Sequence, residues 1–368
     1  MSHERDFLFM TRALALAARP YLNPHPNPRV GCVLVQGEDI IAEGWHQAAG
    51  QAHAEAHALA VAGARARGAT AYVTLEPCSH HGRTPPCADA LIAAGVSRVV
   101  VAMSDPNPRV AGQGLARLSA AGVKVECGLL EAQARALNPG FLQRMEQRRP
   151  LVRSKLAMSL DARTALANGE SQWITGVEAR QDVQRLRAQA AAIVTGIGSV
   201  LADDPRLNVR DPSLGVTDAR QPVRVVLDSQ LQMPGTARML GMPGQTWVAT
   251  LSDLAAAPLQ AAGAQVMVLP AAQGRVSLPH LLQELARREI NDVLVEAGPC
   301  LNGALLQAGL IDELIIYLAP HVLGSKARGL FDLPGLEHMQ QRMNVQIQDI
   351  RAVGADWRIT ASPIGARS

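Results

Sequence analysis

The sequence predicts an α/β protein built as two domains, and three observations carry that expectation. Short apolar runs with strand character alternate with helical stretches of about ten residues over nearly the whole chain. The length of 368 residues exceeds what a single hydrophobic core usually supports. A polar, basic segment, "RMEQRRP", interrupts the alternation near the middle, and a fresh strand follows it.

Taken in order, "FLFMTRALALAARP" from Phe7 reads as a helix, and "VGCVLVQ" and "IIAEGWH" read as a strand pair turned by "GED". The helix "HAEAHALAVAGARA", the strand "ATAYVTLE", the loop "PCSHHGRTPPC" and the helix "CADALIAAG" follow. "RVVVAMSD", a helix around "GLARLSAAG" and the strand "VKVECGLL" complete a three-layer unit with much parallel pairing. The boundary is placed between a first domain, 1–147, and a second, 148–368. In the second, "LVRSKLAMS", "AAIVTGI", "PVRVVLDS", "TWVAT", "QVMVLP", "DVLVEAGP" and "DELIIYLAP" read as strands with helices between several of them. "DPSLGVTDARQ" reads as an exposed loop, and no internal repeat or low-complexity tract is visible.

Composition narrows the function. Lysine and arginine total 35 against 32 acidic residues, and the basic residues never form long runs, so a nucleic-acid groove is not expected. Aromatic residues make up only 3%, which argues against recognition dominated by stacking. Small-molecule partners fit better. Five cysteines, Cys32, Cys78, Cys87, Cys127 and Cys300, are too few and too scattered for a disulfide framework, which fits a reducing cytoplasm. No stretch reads as a signal peptide or a membrane span.

The loop between Cys78 and Cys87 carries the sharpest chemical signal. His53 and Glu55 stand at the presumed first turn of one helix, where side chains two apart can converge past the helix end. Cys87, preceded by Pro85 and Pro86, starts another helix, and Cys78 arrives from the end of a buried strand. Helix N-termini favour thiolates. One imidazole and two thiolates fill three tetrahedral zinc positions and leave the fourth open, the arrangement of a catalytic rather than a structural ion. Glu55, not itself a ligand, is then placed to move protons in a hydrolytic deamination. A closed structural site completed by His80 or His81 is the alternative, but it gives Glu55 no task. His57 is expected to pack or to support the ligands, and Cys32 and Cys127 to be inert core thiols.

"HAE" followed by "PC" and a second cysteine resembles the cytidine-deaminase-like zinc hydrolases, though eight residues separate the cysteines where most members have two. That wider loop, with "HPNPRVG", "DPNPRVAG", "KLAMSLDART", "GESQWIT", "VLADDP", "VLDS" and "VEAGP", resembles specifically the bifunctional riboflavin-biosynthesis deaminase/reductase family over nearly the whole chain. The resemblance implies a cytidine-deaminase-like α/β/α domain that deaminates 2,5-diamino-6-(5-phosphoribosylamino)pyrimidin-4-one. It implies zinc on His53, Cys78 and Cys87, proton transfer by Glu55, and substrate contacts from Asn27, His46 and Arg83. Arg83 is placed against the phosphate.

The second domain has no complete dinucleotide fingerprint. "TGIGSVL" offers Gly196 and Gly198 but has Leu201 where a third glycine belongs, and "VEAGPCLNGALL" combines a strand, a Gly-Pro turn and a helix start. Either stretch is equally satisfied by plain turn chemistry. The resemblance implies a dihydrofolate-reductase-like domain that uses NADPH to reduce the ribosyl side chain to ribityl. Its cofactor contacts fall on Ala157, Trp173, Ser199, Asp203, Ser229 and the turn Gly298, Pro299, Cys300, Leu301, Asn302, Gly303 and Ala304. Its substrate contacts fall on Ser171, Arg187, Leu207, Arg210 and Glu296. No residue is an obvious acid for the reduction: Lys155, Asp161 and Glu296 are candidates, and water is the alternative. A homo-oligomer, with a dimer favoured, is expected.

Overall fold

A computed structural model describes residues 2–19, 25–79, 86–108 and 110–365. The chain divides into two compact units, Met1–Arg149 and Pro150–Ser368. In the first, the elements run α1 (Ser2–Ala17), β1 (Gly31–Gln36), β2 (Asp39–Trp45), α2 (Ala54–Ala62), β3 (Thr70–Val73), α3 (Cys87–Ala93), β4 (Arg98–Val101), α4 (Gln113–Ala120), β5 (Lys124–Cys127), α5 (Glu131–Leu137) and α6 (Pro139–Gln147). The first helix starts five residues before the sequence reading places it. The terminal helix is in fact a pair, broken where Pro139 removes a backbone donor.

The strands form one sheet in the order β2-β1-β3-β4-β5. β1 pairs antiparallel with β2 and β3, while β3, β4 and β5 are parallel. Period-two alternation splits each strand between two cores. Cys32, Leu34, Ala71, Val73, Val99 and Val101 meet Ala54, Ala58, Leu91 and Leu118 of α2, α3 and α4. Val33, Val35, Tyr72 and Val100 meet Met10, Ala13 and Leu16 of α1 and Ala134, Phe141 and Leu142 of α5 and α6. This is the three-layer sandwich expected. One glycine fixes how closely α2 approaches: a Cβ on Gly44 of β2 would stand 2.2 Å from the Ala54 carbonyl oxygen and 2.6 Å from the Ala58 nitrogen. Any side chain there would lift the helix start off the sheet.

The second unit runs β6 (Leu151–Ser159), β7 (Arg163–Ala165), α7 (Val177–Gln189), β8 (Ala192–Gly196), α8 (Ile197–Asp203), β9 (Val223–Leu227), β10 (Thr246–Thr250), α9 (Ala257–Ala261), β11 (Ala264–Val268), β12 (Ala271–Ala272), β13 (Arg275–Val276), α10 (Leu278–Arg287), β14 (Asp292–Val295), α11 (Pro299–Gln307), β15 (Glu313–Ala319), β16 (Arg328–Gly329), β17 (Val345–Val353) and β18 (Asp356–Pro363). Nine strands form a sheet in the order β11-β10-β9-β8-β14-β6-β15-β18-β17. It is parallel from β11 through β15 and antiparallel in its last two pairings. Leu281, Leu282, Leu285, Leu305 and Leu306 of α10 and α11 cover one face. Ala179, Val183 and Leu186 of α7, and separately Val200 and Leu259 of α8 and α9, cover parts of the other.

From β8 the chain moves outward to β9, β10 and β11, then returns to insert β14 between β8 and β6. The crevice at the carboxyl ends of β8 and β14 is therefore a topological switch point, where open α/β sheets bind ligands. The closing hairpin β17–β18 was not anticipated. Every residue of β17 from Val345 to Ala352 is exposed. Among the described residues, no helix is long and apolar enough to cross a membrane.

Candidate active sites

His53 occupies the N-cap of α2 in extended conformation, which turns its ring past the helix end. Its Nδ1 lies 3.6 Å from Cys78 Sγ and 3.3 Å from Cys87 Sγ. Cys87 opens α3, and two bonds tie that helix start to Cys78: the Cys87 N–H donates to Cys78 Sγ at 3.3 Å and the Ala88 N–H to the Cys78 carbonyl at 3.1 Å. The three ligand atoms lie within 4.8 Å of one another, with no carboxylate among them. One imidazole nitrogen and two sulfurs at this spacing are the donor set of a zinc centre with a free fourth position. Hydrogen bonds from Cys87 and His53 hold the Cys78 thiol far below its ordinary range, and the bond to Cys78 raises His53 and Cys87. The site is thus already arranged to present a thiolate.

Glu55, in the first turn of α2, is 3% exposed, and burial pushes its carboxyl up to about 7. A group titrating there can both accept and release a proton near neutrality. Beside it, Asn27 Nδ2 lies 3.1 Å from His46 Nε2, and His46 Nδ1 lies 3.1 Å from the Ala52 carbonyl oxygen. The carbonyl accepts from Nδ1–H, so Nε2 accepts from the Asn27 amide and the ring is neutral. Burial, which lowers the His46 pKa, agrees with that tautomer. The His46 and His53 rings meet edge to face at 5.4 Å. His57 instead packs its ring on Trp45. Arg83, His80 and His81 lie outside the described residues.

In the second unit, Arg187 and Glu296 form a two-pronged ion pair, Nε to Oε1 at 2.6 Å and Nη2 to Oε2 at 3.0 Å. Arg187 Nη1 also donates to the Asn208 carbonyl at 3.1 Å, and Lys155 Nζ lies 3.9 Å from Glu296 Oε2. Arg210 reaches Asn208 Oδ1 at 3.4 Å. Burial pushes the Glu296 carboxyl up, but Arg187, Lys155 and Arg210 together outweigh it and leave the pKa below its usual value. Three cations therefore surround one carboxylate, a surplus of positive charge suited to a phosphate monoester. Leu207, buried with φ +46°, turns the backbone between Arg206 and Asn208.

The remaining predicted cofactor positions follow the carboxyl ends of adjacent parallel strands. Ala157 lies in β6, Ser199 and Asp203 in α8 after β8, Ser229 just after β9, and Gly298 to Ala304 after β14. Leu301 faces Gly196 across the switch point, 3.8 Å from where a Cβ would stand. Cys300 is exposed. Trp173 is 69% exposed and carries the Arg180 guanidinium on its ring at 4.7 Å. Ser171 is half-buried just before it.

Comparison with known proteins decides the family. The family model for the "RibD C-terminal domain" matches residues 150–359, and that for the "Cytidine and deoxycytidylate deaminase zinc-binding region" matches residues 3–103. The riboflavin biosynthesis protein RibD of Escherichia coli (strain K12) is 53% identical over 96% of this chain and 98% of its own length. That of Haemophilus influenzae is 48% identical over 98% of each. The chain belongs to the bifunctional riboflavin-biosynthesis deaminase/reductase family. Solved structures agree: Acinetobacter baumannii RibD superposes with a TM-score of 0.91 at 45% identity, covering 99% of this chain and 100% of that one. The Thermotoga maritima deaminase/reductase gives 0.85 at 32% identity over 99% and 100%.

As in the rest of this family, the cofactors are zinc and NADPH, and the donor set of the first site fits zinc. Several details depart from the sequence reading. Cys127 is exposed, not a core thiol, because it ends β5 at the sheet edge. Asn302 is fully buried, and its side chain is spent on Ser154 Oγ at 2.6 Å and the Ala297 carbonyl at 2.7 Å. It shapes the Gly298 turn from beneath and has no side-chain atom left for a cofactor. Gly303 is likewise buried, since a Cβ there would stand 2.0 Å from the Asp332 carbonyl oxygen. Asp161 accepts from Ser159 Oγ at 2.5 Å and from the N–H groups of Leu323 and Gly324, first among the causes that hold its carboxyl down to about 2. It anchors that loop.

Two positioning groups escaped the sequence reading. Asn138 accepts the Arg29 N–H at 2.7 Å and donates to the Arg29 carbonyl at 2.9 Å, fixing the segment that carries Asn27. Glu76, two residues before Cys78, binds main-chain donors of Asp105, Gly112, Gly114 and Leu115. Nothing in the sequence pairs either residue with partners so distant along the chain.

Proposed function

We propose that the first unit deaminates the phosphoribosylamino diaminopyrimidinone at the His53, Cys78 and Cys87 centre, and that the second reduces the ribosyl group of the product to ribityl. The single observation that carries this reading is the convergence of one imidazole and two thiols beside a buried carboxyl, Glu55. When bound, zinc supplies a Lewis acid that makes a solvent molecule nucleophilic near neutral pH. His53, Cys78 and Cys87 would hold it; Glu55 takes one proton from the attacking water and gives it to the ring nitrogen, then takes the second from the new hydroxyl and gives it to the amine, which leaves as ammonia while the carbonyl forms. Asn27 and His46 are assigned to the substrate, His46 through the Asn27 amide that its Nε2 orients, and Arg83 is assigned to the phosphate.

In the second unit NADPH supplies the hydride, and the protein aligns donor and acceptor. Ala157, Trp173, Ser199, Asp203, Ser229 and the 298–304 turn are assigned to the cofactor, with Asn302 and Gly303 acting through the shape of that turn. Arg187, Arg210, Leu207, Ser171 and Glu296 are assigned to the substrate. Lys155, Asp161 and Glu296 are the candidate acids, with water as the alternative; burial lowers the Lys155 pKa, and the cations around Glu296 lower its pKa.

The deaminase is assigned to 1–147 and the reductase to 148–368. The chain acts in the cytoplasm on small molecules and not on nucleic acid. A dimer is favoured: β17 is an edge strand whose Val345, Ile347 and Ile350 are exposed, and a second copy pairing there would cover them. Light scattering of the purified chain checks that state. The reaction assignment is tested by offering each substrate alone. The diaminopyrimidinone phosphate should release ammonia without NADPH, and NADPH should be oxidised only when the deaminated phosphate is present. A C-terminal half with no such oxidation would be a binding module and not a reductase.

A further inference from the structure

Glu76 stands outside the groups that the two reactions use, yet it is 3% exposed and both of its carboxylate oxygens are occupied. Oε2 accepts the N–H of Asp105 at 3.1 Å and of Gly112 at 3.0 Å. Oε1 accepts the N–H of Gly114 at 2.9 Å and of Leu115 at 3.3 Å. Gly112 is the N-cap of α4, and Gly114 and Leu115 belong to its first turn. The carboxylate thus caps a helix from another segment of chain, satisfying N–H groups that have no partner within the helix. With Asp105 it also holds the opposite end of the same loop, where the chain leaves β4.

The other contacts point the same way. The Glu76 N–H donates to the Met103 carbonyl at 3.0 Å. A Cβ on Gly114 would stand 2.0 Å from the Pro77 carbonyl oxygen, so the first turn of α4 lies directly on the Glu76-Pro77-Cys78 backbone. Arg117 of α4 donates to the Ser79 carbonyl at 3.4 Å and pairs with Asp89 of α3 at 2.5 Å. The loop and α4 therefore grip the chain on both sides of a metal ligand. The loop brings with it a nearly buried Asp105, whose carboxylate accepts the Asn107 N–H at 2.8 Å.

We propose that Glu76 is a positioning residue for deamination: by pinning residues 105–107 and 112–115 to the segment that supplies Cys78, it holds this loop as one wall of the metal site. The inference rests on the deaminase reading of the first unit. A carboxylate suits the task because all four partners are donors. In Glu76→Gln, the amide NH2 would face two of them.

The test uses the zinc-loaded full chain and compares wild type with Glu76→Gln and Gly114→Ala, which disturb the same contact from opposite sides. Both variants should keep the wild-type zinc content and wild-type reductase kinetics. KM for ammonia release should rise about tenfold, with a far smaller change in kcat, for the loss of bonds to a charged acceptor. Amide hydrogen exchange at Asp105, Gly112, Gly114 and Leu115 should quicken. Unchanged KM and exchange would overturn the proposal, and so would zinc loss that parallels the activity loss, since Glu76 would then serve the ligand segment alone. If Glu76→Gln does not fold, Glu76→Asp keeps the charge but shortens the reach, and is judged by the same readouts. A wild-type chain that releases no ammonia would overturn the deaminase reading instead, while its exchange rates beside those of the variants still decide whether Glu76 pins the loop.

Discussion

Arg187 meets Glu296 through two parallel hydrogen bonds of 2.6 and 3.0 Å, and both side chains are at least nine-tenths buried. Removing one partner of such a pair leaves the other charge without compensation, which costs about 3–5 kcal/mol. Glu296→Gln should therefore lower the stability of the second unit by about that amount and collapse NADPH oxidation, with ammonia release kept. Calorimetry and the two separate assays check the outcome.

The same pair sets a pH dependence. The three cations hold the folded-state pKa of Glu296 below its unfolded value, about 4.3. A depressed carboxyl contributes stability that is fully present above the unfolded pKa and is lost as pH falls through the folded one. Chemical denaturation at stepped pH should show the second unit weakening progressively below about pH 4, and Glu296→Gln should flatten that slope.

Glu55 is the proposed proton shuttle of the deaminase, and it lies outside the His53, Cys78 and Cys87 donor set. Glu55→Gln should reduce ammonia release by at least about a thousandfold, as expected for loss of a proton shuttle. Zinc content and the reduction of the deaminated phosphate should stay at wild-type values. Loss of the metal from this variant would show that Glu55 supports the ligands and does not move protons.

Asn302 supplies a stability prediction with a local address. Replacing it with Ala strips Ser154 Oγ and the Ala297 carbonyl of their buried partner, at a cost of about 1–3 kcal/mol. The melt of the second unit should shift and the NADPH dissociation constant should rise, since the turn after β14 loses its underpinning. The deaminase should not respond.

The parts of this chain that were legible in sequence share a short range. His53 and Glu55 are two residues apart, Cys87 follows a Pro-Pro step, and each reports its own helix start. The short strands that alternate with helices in the first unit are likewise local signals, and they returned its three layers. What stayed hidden depends on partners remote in sequence. The Glu76 carboxylate meets donors 29 to 39 positions away, and Asn138 meets Arg29 at a separation of 109. β17 stayed hidden for another reason: the irregularity between Ile347 and Asp349 breaks its short apolar alternation.

The most direct test is one assay on one preparation, with and without exhaustive removal of metal by a chelator. Metal-free chain should release no ammonia from the diaminopyrimidinone phosphate yet oxidise NADPH normally when given the deaminated product, and restored zinc should bring ammonia release back. Ammonia release at an undiminished rate from the metal-free chain would contradict the account.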